Sequence, residues 1–156
     1  MRAEQSTTVW SSYFREVTRI TVSKLSFLHP YIATYAKDYW EGLRKRQLKA
    51  QKCKKCGETF FPPRARCPEC LSKQLDWIEL SGKGELYSWT EVHESPLALE
   101  NPYVLGVIDL EERVGRIITR IDAHPQELKI GMKLDIDYVD VTESLTLCIF
   151  RPTHSQ

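Results

Sequence analysis

Four of the five cysteines lie within eighteen residues, as two Cys-x-x-Cys pairs, Cys53/Cys56 and Cys67/Cys70. Two residues between cysteines let both sulfurs of one turn face a single ion. Two such turns supply the tetrahedral four-sulfur cage that zinc prefers. Gly57 follows the first pair and permits the tight backbone of that turn. Pro68 fixes φ inside the second. Ten residues separate the pairs, a span that a ribbon hairpin can close. Iron is the chemical rival for a four-thiolate cage. Four protein ligands leave no open position for a substrate, so the ion is read as structural.

Other chemistry is sparse. His29, His93, His124 and His154 are scattered. No Ser–His–Asp spacing, nucleophile elbow or phosphate loop is present. His93 stands beside Glu91 and Glu94 at the end of an expected strand, where a histidine is ordinarily solvated. Cys148 sits in an apolar run over 145–150 and reads as a small core residue. No catalytic residue is assigned, and the chain is expected not to be an enzyme.

Charge divides the chain. Residues 1–75 carry 15 Lys/Arg against 6 Asp/Glu, a net of +9; residues 76–156 carry 7 against 15, a net of −8. The basic half includes Arg44, Lys45, Arg46, Lys49, Lys52, Lys54, Lys55, Arg64 and Arg66. It could attract a nucleic acid, a phosphate-bearing cofactor or an acidic protein face. Nucleic acid is disfavoured, because the second half presents Glu79, Glu85, Glu91, Glu94, Glu100, Asp109, Glu111 and Glu112. Its strands carry Tyr87, Trp89 and Tyr103 but few nearby cations for base stacking. No apolar run approaches the ~18 residues of a membrane span. The first residues lack the apolar stretch of a secretory signal, so the expected location is cytoplasmic.

The elements that must position the cysteines follow from periodicity. Trp10, Tyr13, Phe14, Val17 and Ile20 recur at helical spacing within 6–28, before a break at His29-Pro30. A second helix is expected over 31–47, with Tyr35, Tyr39, Trp40 and Leu43 on its apolar face. Either stripe could pack on the chain or dock a partner. From Leu75 the texture becomes β. Strands are expected at 77–80, 85–92, 103–110, 115–121, 134–141 and 145–150, divided by turn residues. Five or six strands in about eighty residues suit a small closed barrel, with an OB-fold as the leading candidate and a small sandwich as the alternative. Three regions result: a helical segment over 1–50, a ribbon over 51–75 and an all-β barrel over 76–156.

Read in order, several short pieces resemble one family. They are Tyr39-Trp40-Glu41-Gly42-Leu43, Cys53-Lys54-Lys55-Cys56-Gly57, Phe61-Pro62-Pro63-Arg64 and Cys67-Pro68-Glu69-Cys70. Trp77 to Gly84, Tyr87-Ser88-Trp89-Thr90, Pro102-Tyr103-Val104 and Ile130-Gly131-Met132 follow. Together they are similar to domain-of-unknown-function family thirty-five, from about Tyr35 to Phe150. The resemblance implies a rubredoxin-like zinc ribbon followed by an OB-fold. It also implies an accessory or scaffold role beside thiolase-like and hydroxymethylglutaryl-CoA synthase-like enzymes, with acyl-CoA as a possible ligand. Under that reading Arg64 and Lys83 are candidate contacts to the phosphates of CoA. Trp40, Phe61, Pro62 and Pro63 are candidate partner contacts, although an aromatic beside the metal could simply cover it.

Overall fold

The structure is a computed structural model, and it describes residues 32–94 and 102–153. The helix expected over 6–28 lies outside the described residues. The second expected helix forms over a shorter span. A 3-10 turn, Thr34–Ala36, leads into α1, Lys37–Arg44. The helix stops early because Arg46 adopts φ 61. The Arg46 N–H then bonds the Leu43 carbonyl and the Gln47 N–H bonds the Gly42 carbonyl. These are the paired bonds that close a helix C-terminus around a left-handed residue, usually glycine. Here an arginine takes that conformation, and its guanidinium forms two bonds to the Asp140 carboxylate, at 3.0 and 2.5 Å.

The next three strands form one antiparallel sheet in the order β2-β1-β3. They are β1, Lys49–Cys53; β2, Thr59–Phe60; and β3, Leu75–Glu79. The expected strand at 77–80 therefore exists but does not belong to the barrel. Its partner is β1, in register from Lys49↔Glu79 to Cys53↔Leu75. β3 leaves the second cysteine pair as β1 enters the first, so the two strands must run side by side to bring the four sulfurs together.

Five strands make the closed barrel: β4, Lys83–Val92; β5, Tyr103–Leu110; β6, Arg116–Ile121; β7, Lys133–Thr142; and β8, Leu145–Pro152. Their order is β4-β5-β6-β8-β7, closed by pairing of β4 with β7. All pairings are antiparallel except β6 with β8. This is a five-stranded OB-fold. Alternation makes it: along β5, Val104, Gly106, Ile108 and Leu110 point inward, and residues between them face out.

The barrel does not end at its own strands. One buried cluster joins Leu86, Ile108, Ile121, Leu134 and Phe150 of the barrel to Leu43 of α1 and to Leu48, Ala50 and Leu80 at the base of the ribbon. The far end of the ribbon has a separate small cluster of Cys53, Phe60 and Cys67, with Cys70 and Leu75 against it. Cys148 is buried in the main core, as its sequence context implied, and burial pushes its thiol up.

Candidate metal centre

Each cysteine pair is a knuckle, and the two knuckles use the same backbone frame. In the first, the Gly57 N–H bonds the Cys53 carbonyl and the Cys53 N–H bonds the Glu58 carbonyl, at 2.9 and 2.8 Å. In the second, the Leu71 N–H bonds the Cys67 carbonyl and the Cys67 N–H bonds the Ser72 carbonyl, at 3.1 and 3.0 Å. The residue after each second cysteine must turn left-handed to make this frame. Gly57 does so at φ 80 and Leu71 at φ 58.

The frames bring the Sγ atoms of Cys53, Cys56, Cys67 and Cys70 within 4.8 Å of one another. Cys53 and Cys70 are 3.5 Å apart, as are Cys56 and Cys67. A tetrahedral ion with metal–sulfur bonds of about 2.3 Å sets its sulfurs roughly 3.8 Å apart, so the cage fits such an ion. Electrostatics favour the same conclusion. The Cys56 N–H aims at the Cys53 sulfur and outweighs the cost of burial; with the Lys55 N–H it holds that thiol down, at about 6. Cys56 moves the other way, up to about 12. The Glu58 N–H draws its thiol down, but burial and the crowding sulfurs of Cys67, Cys70 and Cys53 together push harder. Metal-bound cysteines are thiolates, so a divalent ion among the four sulfurs would offset the crowding that pushes Cys56 up. Cys53 and Cys67 are buried, while Cys56 is exposed at the ribbon's tip. No free position faces a substrate, so the chemistry on offer is structural.

The loop between the knuckles is a strap from ribbon to barrel. The Phe61 N–H bonds the Val114 carbonyl at 3.0 Å. The Arg64 N–H bonds Oε1 of the buried Gln51 on β1 at 2.7 Å. The Phe61 ring lies 5.7 Å from Tyr39, and Tyr39 lies 5.4 Å from Trp40, both edge-on. Trp40 and Phe61 thus meet through Tyr39 and pack on the main core, each still half-buried. Pro62 is exposed and Pro63 half-buried. Gln51 gave no sequence signal, since a buried glutamine reads like any strand polar residue.

The two candidate CoA contacts differ. The Arg64 side chain is exposed, and no ion pair involves it among the described residues. Lys83 is exposed at the start of β4 and likewise has no ion pair among the described residues, but the turn before it holds two acids. Its carbonyl accepts the Glu111 N–H at 3.0 Å. Ser81 holds the Glu112 and Glu111 carboxylates at 2.6 and 3.3 Å.

The barrel corrects one expectation. Its outward tyrosines do have cations: the Arg116 guanidinium lies 3.6 Å over the Tyr87 ring and that of Arg120 lies 5.2 Å over Tyr103. Arg116 also bonds Asp109 at 2.6 Å. Both stacks cross strands: Arg116 on β6 reaches over β5 to Tyr87, which sits in the bulge of β4 between Leu86 and Ser88, and Arg120 on β6 reaches diagonally to Tyr103 on β5. His93 is exposed and pairs with Glu91 at 3.4 Å, at the surface.

Comparison with known proteins matches two family models in succession. Residues 40–76 match the rubredoxin-like zinc ribbon domain of ChsH2, and residues 77–139 match its C-terminal OB-fold domain. A DUF35 domain-containing scaffold protein of Methanocaldococcus jannaschii is 35% identical over 108 residues, covering 67% of this chain and 77% of that protein. The benzoylsuccinyl-CoA thiolase subunit BbsA of Thauera aromatica is 30% identical, covering 72% of this chain and 74% of that protein. A Thermomonospora curvata protein named "Probable enoyl-CoA hydratase alpha subunit" is 33% identical over 76% of this chain, which spans only 37% of that longer protein. Among solved structures, an Ltp2-ChsH2(DUF35) aldolase chain is 33% identical with a TM-score of 0.74, covering 81% of this chain and all of that one. No helix among the described residues is long and apolar enough to cross a membrane.

Proposed function

Because this chain belongs to the DUF35 family of paired zinc-ribbon and OB-fold domains, we propose that it is a non-catalytic accessory subunit of a thiolase-like, acyl-CoA-processing enzyme, with zinc in its four-cysteine cage. One observation carries this reading. The thiolase subunit BbsA aligns with this chain over 74% of its own length, so a unit of this kind makes up most of an enzyme subunit in that case. The zinc assignment rests on the closed set of four thiolates, which suits a redox-inert structural ion.

Acyl-CoA is the proposed small ligand, held jointly with the enzyme. Its phosphates need cations beside a narrow, partly apolar groove. Arg64, exposed on the strap, is better placed for that than Lys83 with its acidic neighbours. A partner related to hydroxymethylglutaryl-CoA synthase fits the same role, with this chain as the bridge.

Affinity purification from native extract, followed by mass spectrometry and reconstitution, tests the reading. A thiolase-like subunit should co-purify and re-form a complex from purified parts. Calorimetry with acetyl-CoA should show tighter binding to that complex than to the free chain, weakened by Arg64→Ala more than by Lys83→Ala. RNA or ribosomal proteins in place of a thiolase-like subunit would overturn the proposal.

A further inference from the structure

The two knuckles share one backbone frame and differ at one informative position. Where the first has Gly57, the second has Leu71 at φ 58. A left-handed conformation carries a cost: it brings the Cβ of a non-glycine residue too close to the following carbonyl oxygen. Asparagine and aspartate soften that cost through local hydrogen bonds, and leucine has no polar atom to do so. Nor does the Leu71 side chain recover it by burial. It is 65% exposed. The small ribbon cluster of Cys53, Phe60 and Cys67, with Cys70 and Leu75, forms without it. An aliphatic side chain thus stands outward on the most constrained backbone of the ribbon, where glycine would fold more easily.

The ribbon that carries it is predominantly basic. Arg66 reaches across the knuckle and its Nη1 donates to the Leu71 carbonyl at 3.3 Å. Between residues 51 and 75 stand Lys52, Lys54, Lys55, Arg64, Arg66 and Lys73, against only Glu58 and Glu69. Among the described residues, Lys54 alone of these six is ion-paired, to Asp76 at 2.8 Å. The other five cations face solvent.

We infer that the second knuckle is a docking tip, in which Leu71 enters an apolar socket on an acidic face of the thiolase-like partner. This deepens the accessory reading and rests on it. The hydrogen-bonded knuckle already fixes the backbone at Leu71, so association orders only its side chain, which favours binding. The unpaired cations complement an acidic rim and steer the approach. A protein socket suits the tip better than a polynucleotide, because a lone aliphatic side chain offers no flat face on which a base could stack. Exposed Ile118 and Ile130 carry no comparable argument, since each lies in ordinary backbone geometry.

Leu71→Gly, Leu71→Asn and Leu71→Met, made in the full-length, metal-loaded chain, separate a docking role from a structural one. The probe is the purified thiolase-like subunit obtained by the capture described above. Leu71→Gly and Leu71→Asn should weaken its binding about ten-fold or more, the worth of one buried leucine side chain. Both should hold their metal against a chelator as well as the parent or better, because the strain at this position is relieved. Leu71→Met should bind like the parent, and added salt should weaken all the complexes. Parent-like affinity in Leu71→Gly would overturn the proposal, as would faster metal loss in that variant. Stripping of the parent complex by short RNA, with Leu71→Gly stripped no more easily, would also overturn it, in favour of a polyanion surface. If no thiolase-like subunit is captured at all, the accessory reading fails and takes this proposal with it.

Discussion

The ribbon tip and the barrel solve the problem of staying folded in opposite ways. The barrel closes on itself and buries Leu86, Ile108, Ile121, Leu134 and Phe150 almost completely. The tip buries only Cys53, Phe60 and Cys67. So small a cluster cannot offset the entropy of ordering two knuckles. Metal bonds have to supply the difference. The boundary between the two regimes does not follow the sheets. Leu48 and Ala50 at the start of the ribbon, and Leu80 just after it, belong to the barrel's core, and only the cysteine end stands apart. Stability in this chain is therefore divided between burial and coordination, and the dividing line runs across the ribbon.

The sharpest way to break this contrast is to remove the ion. Structural zinc is worth on the order of 10–16 kcal/mol in zinc-finger peptides at neutral pH. Cys56→Ser should lose zinc by elemental analysis, where the parent holds about one equivalent per chain. Hydrogen exchange should then show fast amides at Cys53, Gly57, Cys67 and Leu71, while amides of β4 to β8 stay protected. A parent chain that binds neither zinc nor iron after reduction would end the metal assignment. Loss of barrel protection in Cys56→Ser would show that the two regions are one cooperative unit after all.

How much of this was legible in the sequence follows the same line. The cysteine spacing predicted the cage, because coordination geometry is local to each knuckle. Apolar and β-branched runs divided by turn residues predicted the five barrel strands nearly to their ends. The strand at 75–79 was visible too, but its sheet was not. Pairing with β1 is a non-local choice that residue types at 77–80 do not encode. The early stop of the helix at Arg44 was hidden because the left-handed residue that closes it, Arg46, carries no glycine signal; its partner, Asp140, lies 94 residues away. Trp40 and Phe61 showed as aromatics free to pack or dock, and only the position of Tyr39 between them places both on the core. The strap's seat on the barrel was equally hidden. Gly115 has φ 142, and a Cβ there would come within 2.7 Å of the Phe61 carbonyl oxygen. The close approach needs glycine, yet in sequence Gly115 reads only as the first residue of the strand expected at 115–121.

A cut on the barrel side should give a smaller and differently distributed loss. Phe150 is fully buried on β8, in the cluster that joins barrel, helix and ribbon base. Phe150→Ala should cost about 3–5 kcal/mol, from lost transfer free energy and the cavity left behind. Denaturant unfolding followed through the barrel would read it as a lowered midpoint. The folded fraction should still carry one equivalent of zinc, because no atom of the cage touches that cluster. Zinc loss in native buffer, ahead of barrel unfolding, would mean that the core positions the knuckles directly.

The smallest effect concerns the clamp where helix, ribbon and barrel meet. Arg46 holds Asp140 through both carboxylate oxygens and lies 5.7 Å from the Tyr138 ring. Thr146 donates to the same carboxylate at 2.7 Å. The arginine first, and the threonine after it, hold the Asp140 carboxyl below the usual range. A depressed carboxylate pKa stabilises the fold above the unfolded value and loses that contribution as pH falls through the folded one. The clamp should therefore act fully near neutrality and fade below about pH 4, where Asp140 gains its proton. Both partners are about half exposed, so solvent screening limits the pair to under about 1 kcal/mol. Arg46→Ala should show that loss at pH 7, together with the left-handed strain it leaves in place at φ 61. Arg46→Gly loses the same pair but relieves the strain. Its midpoint should lie above that of Arg46→Ala and close to the parent, and the gap between the two variants should not change with pH. If Arg46→Gly is instead as unstable as Arg46→Ala, the backbone at Arg46 is not strained, and the ion pair with Asp140 alone accounts for the residue.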